Sequence, residues 1–576
     1  IGQAKRYSKD FQSLNNEKII FDSKEYKIPF VFSSNGRSFI DALPTKSGIW
    51  FADLTRSTPR RPLRNWYTPV GLKNLYNSNV NFSKEKLSNI NFGSLRDYQI
   101  TSIKKTEESI IKGKRECLLS LATGTGKTII SLFLMHRLLK SQLCKRILFV
   151  VDRKSLATQA IDKFSTIEVE QGNTLNKIYN IEDSRIKKPS IDTQIHIVTI
   201  QGLIKRVLHE DQDKKLKIDD YDCIIVDECH RGYFLDKEMD LDEIHFDNHE
   251  NYFSSYKKCI NYFDAIKIGI TATPALHTVD IFGKPIFNYS YREGVIDGWL
   301  IDHEPPTKIY TQLTKHGIKW KKGEEVKFID SKDSKIKNKI IEDELSFKPN
   351  EFNKLVITRN FNKAIAETLS HEIDPSLEEK SLFFAANDDH ADILVDELKK
   401  AFIKKYGSIK DESIEKITGS IDRPENMIKK YQYEKFPNIA VTVDLLTTGI
   451  DVHPLCNLIF VRNINSRILF EQMLGRATRP CPEIGKETFR VFDTIGVFEN
   501  LGEITDMKPV VKEKNKKISQ ILIQIKKSKT QQEFDFFKEE LLVKVNAKKR
   551  FLTKESKGKI QDLFNLNIDE IIENIK

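Results

Sequence analysis

Between the apolar run Cys117–Leu121 and a helix-like stretch opening at Ile129 lies Ala122-Thr-Gly-Thr-Gly-Lys-Thr128. A chain that leaves a short buried strand through two closely spaced glycines and then enters a helix has few folds open to it. Glycine adopts positive φ without steric cost, so backbone N–H groups around it can turn inward upon an anion. A helix start leaves further N–H groups unpaired and carries the positive end of the helix dipole. The pattern predicts a parallel α/β sheet with a phosphate-binding loop at the carboxyl end of one strand. Thr123, Gly124, Thr125 and Gly126 form the loop. Lys127 is placed to hold β- and γ-phosphates, and the Thr128 hydroxyl to ligate Mg²⁺. Leu121 stands where the longer form of this loop has its first glycine, so only the shorter G-x-G-K-T form is complete.

The same strand–helix rhythm runs from about residue 84 to 306 and returns from 354 to 505. In the first stretch the strands are Cys117–Leu121, Arg146–Val151, Ile195–Thr199 and Cys223–Val226; in the second, Ser381–Ala385, Ile439–Val443 and Leu458–Val461. Short, nearly continuous apolar strands belong in parallel sheets covered on both faces. Two α/β domains are therefore expected, joined by a polar, Lys-rich connector at 307–353 and followed by a helix-prone segment at 506–576. Residues 1–83 read differently. Tyr26–Ser33 and Gly48–Leu54 are β-like, Asn35-Gly36 is a hairpin turn signal, and Thr58–Leu63 reads as a Pro/Arg linker without core.

Composition narrows the function classes. With 576 residues, 39% hydrophobic and 30% charged, the chain has core for three or four domains. Its longest apolar run, Ile129–Met135, is far short of the roughly 20 residues of a membrane span, so no membrane partner is expected. Seven scattered cysteines without a C-x-x-C pair point to reduced thiols and away from zinc. No signal peptide opens the sequence, which gives the cytoplasm as the expected location, and a start at Ile1 reads as a fragment with its beginning missing. The net charge of +11 permits a polyanionic partner.

Five further motifs fit the phosphate loop. Ile224-Ile-Val-Asp-Glu-Cys-His230 ends an apolar strand in two carboxylates, Asp227 for Mg²⁺ and Glu228 to activate water. In Leu95-Arg-Asp-Tyr-Gln99, the Gln99 amide both donates and accepts, as an adenine edge requires. In the second α/β domain, Asp444-Leu-Leu-Thr-Thr-Gly-Ile-Asp451 follows a strand and offers Gly449 and Asp451 to a nucleotide. Asn465–Arg479 reads as a helix with Gln472, Arg476 and Arg479 on one stripe, the two arginines suited to neutralising a transferring phosphoryl group. Ile270-Thr-Ala-Thr-Pro274 places hydroxyls at a strand end, where they can link the Mg²⁺ carboxylates to a bound strand's backbone.

In this order, from Leu95 to Arg479, the motifs resemble those of superfamily 2 helicases and translocases. Longer strings are similar to the motor (R) subunit of type I restriction-modification enzymes: Asp227-Glu-Cys-His-Arg-Gly-Tyr233, Thr271-Ala-Thr-Pro-Ala-Leu-His-Thr278, Tyr291-Arg-Glu-Gly-Val-Ile-Asp-Gly298 and Ala385-Ala-Asn-Asp-Asp-His390. Cys229 stands where Ala is common in that family. The resemblance implies two RecA-like domains in tandem, an α/β nuclease-domain remnant before them and helices after. It implies ATP and Mg²⁺ as cofactors, double-stranded DNA as the track, and methyltransferase (M) and specificity (S) subunits as partners. It also implies DNA-backbone contacts at Arg153, Lys154, Thr199, Gln201, Thr418 and Gly419. Gln3-x-x-x-Tyr7 resembles the helix behind the family's nuclease strands, whose catalytic residues would precede Ile1; Asp22 and Glu25-Tyr-Lys27 stand too close together to replace them. The alternatives are an RNA or DNA helicase of the superfamily, a type III restriction subunit, and an inactive DNA-binding scaffold.

Overall fold

The computed structural model describes residues 1–11, 19–21, 24–56, 58–77, 80–183, 185–186, 188–209, 215–232, 249–309, 318–320, 325–329, 336–340, 345–347, 359–443, 451–511, 513 and 516–576. The chain divides into two compact units. One comprises Ile1–Leu121 with Gly126–Tyr289, the other Ser290–Lys576 with Ala122–Thr125 of the phosphate loop.

The first unit opens on helix α1 (Gly2–Asp10), where Gln3 Nε2 donates to Tyr7 Oη at 3.0 Å. A small antiparallel sheet follows, built from β1 (Phe30–Ser34), β2 (Ile49–Asp53) and β3 (Arg61–Leu63) in that order. Three expectations change here. Pro29 precedes β1, so Tyr26 closes a separate short strand and Tyr26–Ser33 is not one run. Asn35-Gly36 begins a long connection between β1 and β2 instead of a two-residue hairpin, although Gly36 does take φ +75°. The Pro/Arg stretch is not a coreless linker: Leu63 is buried with Phe51, and β3 pairs with β2.

The main sheet of this unit has seven parallel strands. In chain order they are β4 (Glu116–Leu121), β5 (Ile147–Val151), β6 (Ile181–Glu182), β7 (Ile195–Thr199), β8 (Cys223–Asp227), β9 (Ile266–Thr271) and β10 (Pro285–Tyr289). Their order across the sheet is β6-β7-β5-β8-β9-β4-β10. Alternate residues enter different cores. Cys117, Leu119, Ile147, Phe149, Cys223 and Ile225 join one cluster; Leu118, Leu148, Val150, Ile224 and Val226 join the other. A period of two with both phases apolar is what a sheet covered on both faces demands.

The second unit contains a six-stranded parallel sheet from β11 (Thr307–Lys308), β12 (Lys380–Phe384), β13 (Ile414–Lys416), β14 (Ile439–Thr442), β15 (Leu455–Phe460) and β16 (Arg490–Asp493), ordered β11-β16-β15-β12-β14-β13. Helices at Ile518–Lys527, Gln531–Lys549, Lys554–Phe564 and Ile568–Ile575 make up the carboxy-terminal segment. All seven cysteines are free and buried. Among the described residues, no helix is long and apolar enough to cross a membrane, and no cluster of His, Cys, Asp or Glu could hold a metal on its own.

Candidate functional site

The phosphate loop follows β4 of the first unit and runs into α2 (Lys127–Lys140). Gly124 and Gly126 take φ +95° and +80°. A Cβ on Gly126 would stand 2.8 Å from Gln99 Nε2, so both the conformation and the space require glycine there. Thr125 Oγ1 donates to the Ala122 carbonyl at 2.7 Å, which fixes the turn. Gly126 caps α2 without a side-chain hydrogen bond. The first turn of this helix, which includes Thr128, is thus left to receive an anion through backbone N–H groups and the dipole.

Lys127 Nζ lies 3.0 Å from Glu228 Oε1, both side chains largely buried. The two come from different strand ends, Lys127 beyond β4 and Glu228 beyond β8, with β9 between. Glu228 has φ +49°, a conformation a non-glycine residue holds only when its surroundings enforce it. Its N–H donates to Asp227 Oδ1 at 3.0 Å. Burial first, then the charge of Glu228, raises the Asp227 carboxyl to about 6. A desolvated carboxylate beside a second carboxylate and one lysine is short of positive charge, a setting suited to a divalent cation.

His230 extends this centre, a role the sequence did not flag although the residue stands in the quoted motif. Its Nδ1 lies 3.4 Å from Glu228 Oε2 and 2.8 Å from Thr271 Oγ1. The Thr273 N–H donates to the same Thr271 hydroxyl at 3.1 Å, and His277 Nε2 reaches the His230 carbonyl at 2.8 Å. The Thr-Ala-Thr-Pro strand end is thereby tied to the acids by an imidazole.

Other expected residues are placed as follows. Gln99 is buried, and its Oε1 accepts from Arg96 N at 3.0 Å as part of a helix cap. Arg153 Nε is 3.4 Å from Asp152 Oδ2; the Lys154 side chain lies outside the described residues. The Thr199 hydroxyl caps Ile200–Leu208, accepting from Gly202 N at 3.3 Å, and Gln201 is half-buried in that helix.

In the second unit, the helix expected over Asn465–Arg479 spans only Arg467–Leu474. Gly475 ends it, so Arg476 and Arg479 lie beyond the helix and the single stripe is corrected. Arg476 Nε still donates back to the Gln472 carbonyl at 3.3 Å, and both residues are buried. Arg479 pairs with Asp451 and donates to the Gly475 carbonyl at 3.4 Å. Lys486, absent from the expected set, anchors the segment: its Nζ donates to the His453, Ala477 and Arg479 carbonyls at 3.0, 2.8 and 2.8 Å. Thr418 is buried and its hydroxyl donates to Asp388 at 2.5 Å, whereas Gly419 is exposed. Gly449 and Asp22 lie outside the described residues.

Comparison with known proteins follows these outlines. Residues 92–276 match the family model described as type III restriction enzyme, res subunit, and residues 1–76 match the EcoKI endonuclease subunit second domain of type I restriction enzymes. The chain is 42% identical over 517 residues to the type I restriction enzyme EcoKI endonuclease subunit of Escherichia coli (strain K12), covering 88% of this chain and 44% of that one. It is 27% identical over 485 residues to the EcoAI endonuclease subunit of Escherichia coli, covering 81% and 54%. The chain thus spans about half the length of these curated relatives. A fragment structure attributed to the HsdR subunit of a type I restriction enzyme from Vibrio vulnificus YJ016 has the same fold, with a TM-score of 0.52 and 21% identity over 84% of this chain and 79% of that one. The two parallel sheets, the match of residues 1–76 to a type I module and the 42% identity across most of the sequence converge: the chain belongs to the endonuclease (R) subunit family of type I restriction enzymes.

Proposed function

We propose that this chain is the ATP-hydrolysing motor of a type I restriction-modification complex and moves along double-stranded DNA. The observation that carries it is the Lys127–Glu228 contact of 3.0 Å beside Asp227, at the carboxyl ends of parallel strands in a chain of this family. The loop glycines and the uncapped start of α2 fit a polyphosphate. Thr128 and Asp227 would hold Mg²⁺, which when bound neutralises charge on the β- and γ-oxygens.

Lys127 exchanges Glu228 for the γ-phosphate as nucleotide enters. The freed Glu228 carboxylate takes a proton from the attacking water; the water oxygen bonds to the γ-phosphorus as the bond to the β-phosphate oxygen breaks. Arg476 and Arg479 neutralise charge on the transferring group, Gln99 reads adenine, and Gly449, Asp451 and Gln472 complete the nucleotide contacts. Arg153, Lys154, Thr199, Gln201 and the exposed Gly419 turn touch the DNA backbone; with its proton committed to Asp388, Thr418 contributes through the main chain. Residues 1–83 are part of a nuclease domain, 84–306 and 354–505 the motor domains, and 506–576 a helical segment. M and S subunits direct the motor to its site in the cytoplasm.

The test is the steady-state ATPase rate with duplex DNA of increasing length, beside single-stranded DNA and RNA. A rate that rises with duplex length supports a translocating motor, whereas stimulation by RNA alone assigns the chain to the RNA helicases. Arg476→Ala should lower kcat roughly 100-fold with ATP affinity nearly unchanged. An equal fall in both removes it from the γ-phosphate.

A further inference from the structure

A second basic site lies at the other end of the first sheet. A cavity of about 1030 Å³ opens where the β1–β3 module meets the amino-terminal ends of β4 and β9. Eight basic side chains and three carboxylates line it, an excess of five positive charges where the whole chain carries eleven.

The carboxylates are already committed. Asp264 accepts from Arg61 Nε and Nη2 at 2.6 and 2.7 Å and from Arg115 Nη2 at 2.8 Å. Asp41 pairs with Arg64, and Glu116 lies 3.5 Å from Lys267 Nζ. Lys112, Lys114, Lys257 and Lys258 remain at the rim. The contacts of Lys112 with Glu108 at 4.0 Å and of Lys257 with Asp280 at 3.6 Å are solvent-exposed pairs of little worth. In the wall, the Arg61 guanidinium is held by Asp264 and lies over the Phe51 ring, 4.8 Å from its centroid. A concave surface with surplus cations and spent carboxylates attracts phosphate oxygens.

We infer that this cavity binds the DNA backbone, separate from the nucleotide site and on the opposite end of the sheet. β4 runs from Glu116 at the cavity to Leu121 before the phosphate loop, which sets the two sites roughly 17 Å apart along the strand. Lysines on an open rim touch phosphates without reading bases, so binding here is independent of sequence. The identity of the polyanion as duplex DNA rests on the function proposed above.

The test compares the salt dependence of duplex binding, by fluorescence anisotropy, for the unaltered chain, a Lys112→Ala/Lys114→Ala/Lys257→Ala/Lys258→Ala variant, and a control. The control removes the same charge from exposed Lys526, Lys527, Lys554 and Lys557. Every lysine–phosphate pair removed should flatten the slope of log K against log salt by about 0.9, so the cavity variant's slope should fall by between about 2 and 3.6. The control's slope should fall by less than half as much, and ATPase activity without DNA should be unchanged in both. An unchanged slope in the cavity variant, or an equal change in the control, overturns the inference while leaving the motor proposal standing. Failure of the unaltered chain to bind duplex DNA overturns both.

Discussion

Two aspartates on neighbouring strands of the first sheet meet opposite electrostatic fates. Asp264 lies two residues before β9; Asp227 ends β8, its partner in the sheet. Burial works against the charge of each. At Asp264 it is outweighed by Arg115 and Arg61, with Tyr67 Oη also donating, and the carboxyl is held well below the usual carboxylate range. At Asp227 the neighbour is another carboxylate, and the group is pushed up. A saturated carboxylate locks elements together, and an undersupplied one waits for a cation. Depth of burial alone does not separate structure from chemistry; the count of partners does.

This contrast breaks or sharpens under three substitutions. The largest effect is expected at the undersupplied end. Glu228→Gln should keep ATP binding and reduce turnover roughly 1000-fold, read by single-turnover hydrolysis. A variant that still turns over within tenfold of the original removes Glu228 as the base. Next, Asp264→Asn strands two half-buried arginines and should cost about 3 kcal/mol, read from the urea midpoint of the first unit. The folded-state pKa of Asp264 lies below the roughly 3.9 of an unfolded aspartate. Its contribution is therefore complete above about pH 5 and vanishes as pH falls, so the Asn variant should show a flatter acid limb. A cost below about 1 kcal/mol would reduce the cluster to an ordinary surface pair. The smallest effect has the opposite sign: Asp227→Asn relieves a desolvated like-charge contact and should stabilise the nucleotide-free protein by about 1 kcal/mol while abolishing Mg²⁺-dependent turnover.

Legibility in the sequence follows the range of the interactions. The phosphate loop, the Asp227-Glu228 strand end and most strands are local patterns, and the structure contains them within a residue or two of the expected bounds. Arg61 looked like part of a linker because its partner is 203 residues away, and no local pattern announces that pairing. Glycine is a poor helix former, yet the power of Gly475 to end the helix emerged only with the hydrogen bonds around it. The left-handed backbone of Glu228 left no mark at all, since a glutamate is not what such a conformation usually selects. His230 was visible as a letter and silent as a role until Thr271 stood opposite it.

The way β3 is fastened has a use at the bench. Arg61 and Tyr67 grip Asp264, and Thr68 grips Asp219 with both its N–H, at 2.8 Å, and its hydroxyl. The small antiparallel sheet is thus bolted to the large parallel one and does not swing from it. A dye attached at Asn35, on the exposed connection after β1, would turn as one body with the first unit. Its polarisation would then report each rotation of that unit directly, without blurring by a slack tether: the fold carries its own pointer.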